Sequence, residues 1–252
     1  MVNQPVIAVT GKITDLIQAA VADTHTLTHY TDRVGYIAHL TEDHTELLLV
    51  DGAADDWRFW TTTPKTSPAT RRIPVILIGD APGLGEAGLM AGADLVISPA
   101  DFISQLLILL KHYARLPDPA QVEQMACDCQ ADLPDLAQQG VEKFNQREFY
   151  AQHDLFEALW MQTESPVRDL YRAILQVGIA YYQILRGNPR GAKKMLLRSV
   201  QWLAILPDEC QGIDIAQLKA DSYRVRAELG HLGDDHIREF DLTLLKPLRR
   251  TR

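Results

Sequence analysis

Cysteine is scarce in this chain: three in 252 residues, at Cys127, Cys129 and Cys210. A sparse, odd count in a chain this long does not suggest a disulfide framework. Reduced thiols in a cytoplasmic protein are the simplest reading. The alternative is a metal clip of Cys127 and Cys129 with Cys210 and one histidine, but the spacing is not that of a common zinc motif. Long apolar runs are also lacking. The longest, residues 106–110, reads LLILL, against roughly 20 residues for a bilayer crossing. The start, MVNQPVIAVTGK, has no basic stretch of the kind that opens a signal peptide. Nor is there a basic surplus: 25 Lys and Arg stand against 33 Asp and Glu, for a formal net charge of -8. That sign argues against a general nucleic-acid binder. With 15 Gly and 13 Pro, collagen-like and low-complexity classes are excluded. No repeat recurs at a fixed period, and nothing calls for a cofactor. What remains, 46% hydrophobic and 23% charged, is the composition of a folded globular protein. At about 150 residues per domain, the length allows one or two domains.

The two halves differ in period. In the first, short apolar runs alternate with helix-period stretches. Residues 6–9, 47–50, 74–78 and 95–97 read as strands, the middle two as continuous apolar runs buried on both faces. Residues 25–30 form a polar, β-branched strand near an edge. Helices are expected at 13–21, 34–40, 84–90 and 102–113. The Thr- and Pro-rich segment 61–70 reads as a loop replacing much of one crossover helix. Five strands interleaved with helices predict a doubly wound parallel α/β sheet. After the break at Leu116-Pro-Asp-Pro119 no strand alternation is found. Residues 120–130 read as a connecting helix or linker, and helices are expected at 134–142, 146–163, 167–185, 189–206 and 215–229. Gly187-Asn188-Pro189 ends one helix and starts the next, with Asn188 as N-cap and Pro189 at the first helical position. The second half is therefore an all-α bundle. The expected division is a domain at 1–116, a linker at 117–133, a bundle at 134–232 and a tail at 233–252.

The third strand runs into Asp51. In placement and lengths, residues 4–115 resemble the response-regulator receiver family, down to the Leu95-Val96-Ile97-Ser98-Pro99 ending of strand five. The resemblance implies an aspartate phosphorylated with Mg²⁺ held by two acids after strand one, a Thr or Ser after strand four and a Lys after strand five. The chain departs at each of these partners: Thr10, Gly11 and Lys12 follow strand one, Gly79 takes the hydroxyl position and Ser98 the lysine position. Of the quintet only Asp51 survives. The resemblance thus implies a pseudo-receiver, a docking module without the switch, and Asp51 is expected to cap the following turn. Gly83-x-Gly85-x-x-Gly88 also follows a strand. A dinucleotide fingerprint belongs after the first strand, with a ribose-binding acid about 20 residues on, so a plain strand-to-helix loop is the better reading.

In the second half, Asn145 with Glu148 three residues on reads as a capping box, and Phe144 with Phe149 as a hydrophobic staple. At about 100° per residue, Phe149, His153, Phe156 and Trp160 share a face, with Glu157 at its margin. Either His153 and Glu157 satisfy one another in the core, or they present acid, base or metal-binding groups together. Two ligands are too few for a catalytic zinc site. Gln176, the interior polar residue of an almost wholly apolar helix, is the candidate partner, and Gly178 permits close approach. Arg186, Arg190, Lys193, Lys194 and Arg198 form a basic patch with no acid between them, either a solvated face or an anion-binding patch.

Residues 138–230 resemble the family called domain of unknown function 309. The matching residues are Phe144-Asn145, Glu148-Phe149-Tyr150, His153-Asp154, Glu157, Trp160, Gln176, Asn188, Gly191-Ala192 and Cys210-Gln211-Gly212-Ile213-Asp214. Arg172 and Ala173 stand where the family tends to have Gln-Gly. The resemblance implies a small helical bundle and no particular activity. The expected function is a non-enzymatic regulatory or scaffold protein of the cytoplasm, acting through a protein partner or through copies of itself. The alternative is a metal-dependent hydrolase or small-ligand-binding protein centred on His153, Glu157 and Trp160, with Gln176 in the same candidate site.

Overall fold

The computed structural model describes residues 4–13, 17–18, 21–114 and 119–251. The chain divides into two units, Met1–Leu116 and Pro117–Arg252.

In the first unit, strands β1 (Val6–Thr10), β2 (Thr26–Tyr30), β3 (Thr45–Asp51), β4 (Val75–Ile78) and β5 (Leu95–Ile97) form one sheet in the order β2-β1-β3-β4-β5. Every pairing is parallel. This is the doubly wound order with one reversal beside the first strand. Four helices are described: α1 (Tyr36–Glu42), α2 (Trp57–Thr66), α3 (Leu84–Met90) and α4 (Pro99–Tyr113). The helix expected at 13–21 lies partly outside the described residues; Ile17, Gln18 and Val21 within it are helical. Alternate residues of the central strands feed two cores. Ile7, Val9, Leu47, Leu49 and Ile76 pack with Phe102 and Leu106. Ala8, Leu48, Val50 and Leu77 pack with Tyr36, Leu40, Trp60 and Leu84 on the other face. Burial on both faces is why these strands read as unbroken apolar runs.

The loop expected at 61–70 is a correction, because α2 runs to Thr66 with Pro64 inside it. Pro64 has no N–H for the carbonyl of Trp60, four residues back. The Tyr36 hydroxyl donates to that carbonyl instead, at 3.3 Å. Trp60, Thr61 and Pro64 form the buried face of the helix, so packing overrides the poor helix propensity of the segment.

The second unit has six helices among the described residues: α5 (Pro119–Gln130), α6 (Asp135–Asn145), α7 (Phe149–Gln162), α8 (Arg168–Leu185), α9 (Pro189–Leu203) and α10 (Ile215–Leu232). Helix α8 is the centre, buried along most of its length from Leu170 to Ile184. It packs against α7 on one side and α9 on the other. Gly178 lets α7 approach, since a Cβ there would overlap Gln152 Oε1. The Asn188 side chain caps α9 by accepting from Gly191 N, as the sequence predicts.

Where no strand was expected, β6 (Glu209–Cys210) and β7 (Ile213–Asp214) form a hairpin. Its two turn residues, Gln211 and Gly212, have φ of 49° and 71°, the pairing a type I′ turn requires. The Cys-Gln-Gly-Ile-Asp run thereby gains a physical account. Ile213 is fully buried, and Asp214 caps α10 by accepting from Gln217 N. The Gln211 side chain accepts from the Tyr171 hydroxyl at 3.0 Å and donates to Asp128 O at 3.4 Å.

Cys129 and Cys210 are joined in a disulfide, and Cys127 is free and exposed. This corrects the expectation of three reduced thiols. The partners lie 81 residues apart in sequence, and only the hairpin brings them together. The segments expected as linker and tail also contribute to the core: Met125, Cys129 and Leu133 from the first, Phe240, Leu245 and Leu248 from the second. Thr251 N donates to Gly212 O, and Asp214 N to Arg249 O, so the tail runs along the hairpin. No helix among the described residues is long and apolar enough to cross a membrane.

Candidate functional site

Asp51 closes β3 beside the end of β1. Its carboxylate accepts two backbone N–H groups, from Lys12 at 3.1 Å and from Ala53 at 2.9 Å. Its own N–H donates to Thr10 Oγ1 at 3.2 Å. Gly11 is left-handed, with φ of 66°, and a Cβ there would overlap the Asp51 carboxylate. An acidic side chain therefore cannot be placed at Gly11 without displacing Asp51. Cβ atoms on Gly52 and Gly79 would come within 2.7 and 2.6 Å of Leu84 Cδ2, so an apolar side chain covers the position where a hydroxyl is expected in a receiver. Ser98 caps α4, its Oγ accepting from Asp101 N at 3.1 Å and donating to Asp101 Oδ2 at 2.7 Å. Each departure from the receiver pattern has a structural use. A phosphoryl group on Asp51 would meet backbone N–H donors but, among the described residues, no acid pair to hold Mg²⁺, and metal neutralisation of charge is central to phosphoryl transfer. Gly88 lies against Leu77 and Val96, and a Cβ on Gly83 or Gly85 would meet nothing. The glycines serve a turn and a close helix-to-strand approach.

In the second unit the inward face of α7 is Phe149, Gln152, Phe156 and Leu159, rotated from the face expected through His153 and Trp160. His153 is half-buried. Its Nδ1 lies 3.1 Å from Asp154 Oδ1, and its ring stacks on the exposed Tyr150. No hydrogen bond joins it to Glu157 among those described, so the expected pair is corrected. The buried polar residue is Gln152, fully enclosed, with neither end of its amide hydrogen-bonded to protein among the described residues. Tyr181, packed against Phe144 and Phe149, likewise has an unpaired buried hydroxyl. Burial, and then the charge of Asp221, push that phenol well above its ordinary pKa. Gln176 is buried with its Oε1 unpaired. Trp160 meets two cations of α8: Arg172 at 4.6 Å and Arg168 at 5.8 Å from its ring centre. Arg172 also lies 3.8 Å from the centre of Trp202, so its guanidinium is flanked by two indoles. The half-exposed margin of α7 therefore runs Tyr150, His153, Glu157, Trp160, at helical spacing. Among the described residues, no three of His, Cys, Asp and Glu gather to hold a metal.

Asn145 ends α6 and does not cap α7, which corrects the capping box. Its Oδ1 accepts from Leu248 N at 2.7 Å and its Nδ2 donates to Leu248 O at 3.1 Å. Glu148 pairs with Lys143 at 2.7 Å. The Phe144 and Phe149 rings do meet, edge to face at 5.3 Å.

The basic patch has an acid that the sequence does not place there. Asp234, from beyond α10, accepts from Arg190 at 2.8 Å and from Lys193 at 2.9 Å. These hydrogen bonds hold the Asp234 carboxyl below its ordinary pKa and raise Arg190. Lys194 and Arg186 are exposed, and Arg198 is half-buried with an unpaired Nε. Sequence reasoning missed Gln152, Tyr181 and Asp234. A helical face drawn through Phe149, Gln152, Phe156 and Leu159 would have found the first.

Residues 137–195 match the family described as Domain of unknown function (DUF309). The match spans α6 to α8 and the start of α9, the layer that holds Gln152, His153 and Gln176. A relative from Aquifex aeolicus (strain VF5), described as an uncharacterized protein, is 24% identical over 78 residues, 31% of this chain and 23% of that protein. The chain thus spans about a quarter of the length of that curated relative. Among solved structures, the receiver domain of sensor histidine kinase PA1611 from Pseudomonas aeruginosa PAO1, with magnesium in its active-site cleft, is similar at 18% identity with a TM-score of 0.39, covering 44% of this chain and 98% of that domain. The strand order β2-β1-β3-β4-β5 is the flavodoxin-like doubly wound order, which receivers share.

Proposed function

We propose that the protein is a non-enzymatic regulatory or scaffold protein of the cytoplasm, whose receiver-like unit docks a protein partner without phosphoryl transfer while the DUF309 segment forms part of a helical unit beside it in sequence. The observation that carries this reading is the second face of α4. Phe102, Leu106, Leu109 and Leu110 are buried in the sheet's core, yet Ile103, Leu107 and Ile108 are 49%, 71% and 69% exposed. Ile103, Leu107 and Ile108 adjoin one another at helical spacing on the side of α4 turned away from the core, and exposed apolar patches of this kind mark interaction surfaces. The Asp51 geometry supports the absence of a phosphorylation switch, since its carboxylate is held by Lys12 and Ala53 backbone donors.

The test is affinity capture at native expression with the full chain and its Leu107→Glu variant. Leu107 is largely exposed, so the variant should fold as the parent does. The proposal expects a specific partner that the variant fails to retain. Identical capture by both proteins would refute docking through this face.

A further inference from the structure

We propose that the Cys129–Cys210 bond is a site of reversible thiol–disulfide exchange whose reduction by a dithiol releases helix α5 from the second unit. The inference does not depend on the partner reading. Cys129 sits in the last turn of α5 and Cys210 in strand β6, joined by the disulfide. Cys210 has no exposed surface, whereas Cys129 is 5% exposed. Cys129 also lines a surface pocket of about 370 Å³ with Ala126, Gln130, Pro207 and Glu209. A thiol entering this pocket therefore meets Cys129 and not Cys210.

One thiolate of the dithiol attacks Cys129 Sγ, the bond to Cys210 breaks, and Cys210 leaves as a thiolate that takes up a proton. The second thiolate of the dithiol then attacks its own sulfur in the mixed disulfide and expels Cys129 as a thiolate, which is protonated in turn. The dithiol ends as a disulfide, oxidised by two electrons, and the cysteine pair is reduced by two.

Helix α5 contributes few side chains to the core of its unit. Among its described side chains only Met125 and Cys129 are buried. Its principal packing partner is strand β6. Gln211 adds backbone ties, from its N–H to Cys129 O at 2.7 Å and from its Nε2 to Asp128 O at 3.4 Å. A helix of 12 residues is marginal by itself in water, so without the covalent staple it opens locally. The rest of the bundle keeps its own core around α8. Cys127, exposed and two positions before Cys129, points away from the pair around the helix and remains a free thiol in both states. Disulfides in reducing compartments are characteristically transient and redox-sensing.

The test uses the full chain purified under non-reducing conditions. Thiol titration in denaturant should find one free thiol per chain, and three after dithiothreitol, from the three cysteines present. Hydrogen–deuterium exchange should then accelerate over residues 119–130, by on the order of tenfold or more, with the helices from 135 to 232 unchanged. Cys210→Ser should reproduce the reduced pattern without reductant, while Cys127→Ser should behave as the parent. Three free thiols in the purified protein would overturn the proposal. So would equal exchange over 119–130 in both redox states, or accelerated exchange throughout the bundle on reduction.

Discussion

Replacing Asn145 tests how the second unit is closed. Its amide makes two hydrogen bonds to the backbone of Leu248, 103 residues away in sequence. Leu248 is buried together with Leu245 and Phe240. Asn145→Ala strands one N–H and one C=O of that strap, and at about 0.5–1.5 kcal/mol for each bond lost the expected cost is about 1–3 kcal/mol. Asn145→Asp separates this tether from a capping role. Asp is as good an N-cap as Asn, so a cap predicts little change. The tether predicts a loss, because Asp keeps the acceptor for Leu248 N but has no donor for Leu248 O. Urea melts give the magnitude. Limited proteolysis near residues 240–251 shows whether the strap has come loose. Destabilisation by Ala with full retention of stability by Asp, and an unchanged cleavage pattern, would refute the tether.

Tyr36→Phe should cost about 1 kcal/mol, because the Trp60 carbonyl that Pro64 leaves without a donor loses its replacement. The cost should shrink in a Pro64→Ala background, where the helix supplies its own N–H, and equal costs in both backgrounds would contradict this. Arg172→Ala should lower stability by about 1–3 kcal/mol and change tryptophan fluorescence, since it empties the space between Trp160 and Trp202. Unchanged melting and fluorescence would rule that stack out as a stabilising contact. Burial holds the His25 imidazole below its ordinary pKa of 6.5. The unfolded chain therefore takes up the proton first, and the stability His25 contributes is present above pH 6.5 and lost as pH falls toward the lowered folded value. Melts between pH 7 and 5 should show the decline in the parent and a flatter profile in His25→Gln; parallel profiles would remove His25 as the cause.

The first unit was legible because its central strands are buried on both sides and so carry the signal in composition alone. The edge strand at Thr26–Tyr30 could be placed because one polar face shows in its alternation. Pro64 misled because the donor that replaces its missing N–H, on Tyr36, comes from another helix. Asn145 misled for the same kind of reason: Asn followed by Glu three residues on is a capping signature, yet the partner of the amide is in the last ten residues of the chain. The axis of α7 was read about one residue off. That shift exchanged Gln152 for His153 as the buried polar group, and the apolar neighbours Phe149 and Phe156 fit either choice. The Cys129–Cys210 bond and the Asp234 bridge join positions far apart in sequence, and no local pattern encodes them. That Thr10 and Gly11 stand where a receiver has its acid pair needed only the residues themselves.

The doubly wound sheet carries Asp51 with backbone donors around it and, among the described residues, without an acid pair beside it. Intact-mass analysis of the full chain after incubation with acetyl phosphate and Mg²⁺, beside Asp51→Asn, tests the consequence for phosphorylation most directly. No phosphoryl group should be added to either protein. A Mg²⁺-dependent gain of one phosphoryl group in the parent that disappears in Asp51→Asn would contradict it.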